Sequence, residues 1–80
     1  MFKLKEIQEG NNWVVETWEC HLTPLVIRLH YARRRTEQVD LSALFEQVLR
    51  SYSVNTKSEI HEYYGSNGRL HEVKIRSIGG

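Results

Sequence analysis

The sequence holds one cysteine, one proline and five glycines in 80 residues, and no apolar run approaches the roughly 20 residues a membrane-spanning helix needs. Each shortage excludes something. Cys20 alone makes no internal disulfide, so the staple of small secreted domains is missing and a reducing compartment is expected. The start, Met1-Phe2-Lys3-Leu4-Lys5-Glu6, lacks the apolar stretch of a signal peptide, and the expectation is a soluble, cytoplasmic protein with no membrane partner. Glycines are too few and wrongly placed for a phosphate-cradling loop: the segment entering the helix reads Glu37-Gln38-Val39-Asp40-Leu41, which excludes a P-loop or Rossmann turn. Paired metal-ligand spacings are missing too, since Cys20, His21, His30, His61 and His71 are scattered, so neither a metal nor another cofactor is expected. Charge of one sign is nearly balanced, at +1 overall.

What is present is hydrophobic patterning from end to end, without repeat, low-complexity stretch or linker. That implies a single small domain over residues 1–80. A chain this short buries only about 60% of its unfolded surface, enough for one core. After Asp40, Leu41, Leu44, Phe45, Val48, Leu49 and Tyr52 recur at helical spacing and form one apolar stripe. Asp40 is a preferred N-cap type and Val39 can act as a staple on Leu44, while Ser51, Ser53, Val54 and Asn55 mark an end. Leu25, Ile27, Leu29 and Tyr31 alternate with Val26, Arg28 and His30, the period of a strand with one wet face. Trp13–Cys20 is rich in β-branched and aromatic residues, and Gly10-Asn11-Asn12 separates it from Phe2, Leu4 and Ile7. Two hairpins sharing the middle strand follow, with Pro24 at the second connection.

Asn67-Gly68 predicts a type I′ turn and fixes a register. Ser66 then faces Arg69, Tyr64 faces His71, Glu62 faces Val73 and Ile60 faces Ile75 on one side. Glu59 faces Arg76, His61 faces Lys74 and Tyr63 faces Glu72 on the other. The expected architecture is α+β, in the order β-β-β-α-β-β: a mostly antiparallel sheet with one amphipathic helix packed on one face. Strand order across the helix does not follow from the pattern.

No catalytic arrangement is expected. Cys20 with His21 or His30 and Glu19 could be assembled on paper, but no local motif fixes it, and Cys20 reads as a small hydrophobe. Glu16 with Glu19, and Glu59 with Glu62, stand at odd spacings that place each pair on opposite strand faces, as solvated charges. His61 and His71 are expected on opposite faces as well.

Charge is unevenly spread. Residues 1–20 carry a net −2, residues 21–35 a net +4 from Arg28, Arg33, Arg34 and Arg35, residues 36–56 a net −2 and residues 57–80 a net +1. The basic stretch Arg28–Arg35 suits phosphate or carboxylate, and Tyr31 or a Trp could stack on a base. A pI of about 7.9 argues against a dedicated nucleic-acid domain. Alternatively, the arginines solubilise the loop and pair with Glu37 or the acidic strand. Trp13 and Trp18 fall on opposite faces by parity, so one of them needs an edge or a partner, and Tyr63 lies outside if Tyr64 faces the helix.

The ending Leu70–Gly80, with Gly79-Gly80, resembles the last strand and diglycine tail of ubiquitin-like modifiers and sulfur carriers. The resemblance implies a terminal carboxylate that is activated and conjugated or thiolated. Three strand candidates before the helix, where that family has two, and a terminal tight hairpin depart from its pattern. The reading that draws on most of the chain is a small non-enzymatic interaction module, an accessory or inhibitory protein with the economy of bacterial or phage ones. Its partner is expected to be a protein, with a nucleic acid as the alternative and a homodimer as a further option. The expected contacts are Arg28, Arg33, Arg34 and Arg35, with Trp18, Tyr31 and Tyr63 as apolar anchors.

Overall fold

A computed structural model describes residues 1–22, 25–51 and 59–77. Strands β1 (Lys3–Glu9), β2 (Trp13–Leu22) and β3 (Leu25–Arg34) precede helix α1 (Leu41–Ser51), and β4 (Glu59–Ser66) and β5 (Arg69–Ser77) follow it. The five strands form one sheet in the order β1-β2-β3-β4-β5. Neighbours pair antiparallel except β3 and β4, which run parallel and are joined through α1. Parallel neighbours need a long crossover, and the helix supplies it. The architecture is the expected α+β one. Pro24, Tyr52, Ser53, Val54, Asn55 and the Gly79-Gly80 tail lie outside the described residues.

The core grows from the alternation in β3. Leu25, Ile27, Leu29 and Tyr31 point to the helix and are buried. Cross-strand partners share a face, so Cys20, Trp18 and Glu16 of β2 and His61, Tyr63 and Gly65 of β4 lie on that side too. Leu44 and Val48 of α1 close the cluster of Cys20, Ile27, Leu29, Tyr31 and Tyr63, with Val39, Leu41 and Leu70 packed at its margin. Phe45 stacks on Phe2 at 4.4 Å between ring centroids and tilts against Trp18 at 5.3 Å. Asp40 caps the helix: its Oδ1 accepts from the Ser42 N–H at 3.0 Å. Leu49, on the expected stripe, is exposed.

Asn67 and Gly68 adopt φ of 54° and 78°, as a type I′ turn requires. Ser66 faces Arg69 as expected, but the register shifts beyond Gly65–Leu70, where His71 is an extra residue in a bulge. Past it Tyr64 faces Glu72, Tyr63 faces Val73, Glu62 faces Lys74, His61 faces Ile75 and Ile60 faces Arg76, one residue off the expected pairing. The physical reason lies under the turn. Gly65 has no side chain, and a Cβ there would stand 2.8 Å from the Arg69 carbonyl and 3.2 Å from Tyr31 Cδ1. The Tyr31 ring fills that space, and its hydroxyl accepts the Gly68 N–H at 2.6 Å. The faces therefore differ from expectation: Tyr63 turns to the core and is 4% exposed, while Tyr64 looks out from the uncovered face. His61 and His71, expected apart, border one groove beside β5.

Candidate functional site

Three of the four arginines in the basic stretch are already engaged. Arg28 Nε donates to Glu19 Oε2 at 2.7 Å on the uncovered face. Arg33 Nε donates to Glu16 Oε2 at 3.1 Å, and its Nη1 reaches the carbonyls of Arg34, Arg35 and Glu37, so one guanidinium holds the chain that leads from β3 into α1. Arg35 pairs with Glu9 at 3.0 Å and donates to the Gly10 carbonyl, tying that segment to the β1–β2 turn. These contacts are the alternative in which the arginines pair with the acidic strands, and they leave the stretch far less cationic than its composition. Glu16 and Glu19 are buried rather than solvated, because each accepts from an arginine.

Arg34 differs. Its backbone N–H bonds Glu37 Oε1 at 3.2 Å, while its exposed guanidinium has no ion pair among the described residues. Directly across the β2–β3 pairing stands Trp13, 46% exposed, on the same uncovered face. The two border a recess of about 400 Å³ at the end of the sheet, completed by Asn11, Asn12, Arg35 and Thr36. Its floor is fixed by backbone bonds from Gly10 N to Trp13 O and from Arg35 N to Asn12 O, both 2.8 Å. A flat apolar ring beside an unpaired bidentate donor suits a carboxylate or phosphate carried on an apolar or planar group.

No family model matches this chain, and no curated protein or solved structure does.

The aromatic anchors expected from the sequence are elsewhere. Trp18 faces the helix, packs on Phe45 and donates its indole N–H to Glu16 Oε1 at 2.9 Å. Tyr31 is 0% exposed and Tyr63 4%, so neither offers a surface. Trp13 was missed although parity had already separated it from Trp18. Cys20 is buried on the helix side, whereas His21, His30 and Glu19 stand on the opposite side, so a Cys–His–Glu triad is not assembled. Among the described residues no group of three or more His, Cys, Asp or Glu is placed to hold a metal ion, and no helix is long and apolar enough to cross a membrane.

The uncovered face instead carries a ladder of alternating charge across the strands. Glu19 takes Arg28 and His21 at 2.7 Å each, with Lys5 at 4.0 Å. Glu62 takes His30 and Arg76 at 2.9 Å each. His30 also lies 3.4 Å from Thr17 Oγ1 and stacks on Tyr64. The Arg28 hydrogen bond, helped by His21, outweighs burial and holds the Glu19 carboxyl below its ordinary 4.5. At Glu62 burial pushes upward, but the His30 hydrogen bond and the Arg76, His30 and Arg28 charges together prevail and lower it.

Proposed function

We propose that this chain is a non-enzymatic interaction module of the cytoplasm that docks a protein through the Trp13–Arg34 corner. It acts as an accessory or inhibitory protein by occupying its partner's surface. The observation that carries the reading is the side-by-side placement of an exposed Trp and the one unpaired arginine of the basic stretch. Trp and Arg are the side chains that most often dominate binding energy when a partner desolvates them. Trp13 supplies the apolar contact, Arg34 a fork for a carboxylate, and Asn11 and Asn12 further polar contacts at the rim. A nucleic acid is the second reading, supported by the same pair as a base-stacking and phosphate-binding unit. The pairing of Arg28, Arg33 and Arg35 with glutamates weighs against it, because phosphate affinity scales with the number of free cations.

The experiment is capture of partners from source-cell lysate at about 150 mM and about 500 mM salt, with and without nuclease, since screening separates phosphate-driven from packed contacts. We expect a discrete protein that survives high salt and nuclease, with affinity about tenfold weaker for Arg34→Ala. Recovery of nuclease-sensitive material at low salt alone would replace this reading with the nucleic-acid one.

A further inference from the structure

We propose that β5 is a self-association edge: two copies of this chain pair antiparallel along β5, centred on Val73, joining their sheets. Among the described residues no strand lies outside β5, so one side of its backbone has no ladder partner. Beyond the His71 bulge, Glu72–Ser77 pairs with β4 without interruption, so Glu72-Val73-Lys74 lie on regular backbone, and in a pair centred on Val73 the bulged His71 falls opposite Ile75 at each end of that segment. Both edge strands carry a register shift, but in β1 it falls between Leu4 and Glu6 in the middle of the strand, whereas in β5 it falls at His71 beside the turn and leaves Glu72–Ser77 regular.

The order Glu72-Val73-Lys74 reads as its own complement when the strand is reversed. In a two-fold antiparallel pair centred on Val73, Val73 meets Val73 of the second copy. Glu72 then meets the second copy's Lys74, and Lys74 the second copy's Glu72. Both charged side chains stand on the uncovered face, more than half exposed, and their only mutual contact within the chain is a loose 3.9 Å. Centring on Lys74 would oppose Lys74 to itself and draw Arg76 from its 2.9 Å pair with Glu62, so the Val73 register is favoured. On the helix side Val73 is 47% and Ile75 56% exposed. They border an apolar groove of about 500 Å³ shared with Tyr63 and Leu70, which becomes continuous across the axis in the paired form.

Sedimentation velocity of the full chain from about 10 µM to about 1 mM tests this, because affinity of a strand-added edge is read from concentration dependence. A monomer–dimer equilibrium is expected. Lys74→Glu opposes Glu to Glu twice and raises the dissociation constant about tenfold, while the charge-swapped E72K/K74E double variant restores it. Circular dichroism verifies that each variant is folded, and Trp13→Ala, on a separate surface, leaves association unchanged. A wild type that stays monomeric throughout, a K74E variant that associates as tightly as wild type, or loss of the dimer in W13A would overturn the proposal.

Discussion

Tyr31 links three parts of the molecule through one side chain. Its ring is fully buried in the core, it packs over Gly65, and its hydroxyl accepts the N–H of Gly68 in the terminal turn. Tyr31→Phe keeps the packing and removes that hydrogen bond from the exposed turn, so we expect a loss of about 1 kcal/mol, read as a lower urea midpoint. The buried role of Tyr31 was legible in the alternation of β3, which places it in line with Leu25, Ile27 and Leu29. Its place inside the basic Arg28–Arg35 stretch put it among the expected surface anchors, although a tyrosine is at home in a core when its hydroxyl finds a hydrogen-bond partner. Trp18, expected at the surface, is likewise turned to the helix. Leu22 opposite Leu25 sets Trp18 against Leu29 and Trp13 against Arg34, and that register assigns each indole its face. Parity alone separated the two without saying which was inside.

At the scale of elements, the helix stripe, the period-2 strands and the Asn67-Gly68 turn were readable because each is a local pattern. The bulge at His71 was not, because it depends on Tyr31, which is 37 residues from Gly68 in sequence and meets it only in the folded sheet. The shift sets Glu62 across from Lys74 where an uninterrupted ladder would have set it against Val73, and the Glu62 carboxylate pairs with Arg76 and His30. The resulting charge ladder gives the sheet a pH dependence. The unfolded chain protonates Glu19 and Glu62 near 4.5, the folded chain only at lower pH. Between those values the unfolded state holds more protons, so stability that is complete above 4.5 is lost as pH falls through the folded values. Urea midpoints measured from about pH 7 to about pH 3 will show this acid limb, and an E19Q/E62Q variant will be less stable at neutral pH with a shallower limb.

For the whole molecule, an overall charge of +1 conceals strongly charged segments that the fold brings into register with one another. Glu9 of β1 and Glu16 and Glu19 of β2 neutralise Arg35, Arg33 and Arg28, and leave Arg34. That cancellation was offered by the sequence as one alternative, and only strand order decides it, since β2 lies between β1 and β3. Among the described residues, the Trp13–Arg34 corner and the outer side of β5 are two places at the ends and edges of the sheet where that cancellation does not reach. The docking role proposed for Trp13 separates it from Trp18, which packs on Phe45 under the helix. The most direct measurement compares Trp13→Ala with Trp18→Ala in partner capture and in thermal melting side by side. W13A is expected to melt like the wild type and lose its partner, while W18A loses about 3 kcal/mol or more of stability, the usual cost of truncating a packed Trp. Capture by W13A at wild-type strength would contradict the docking role.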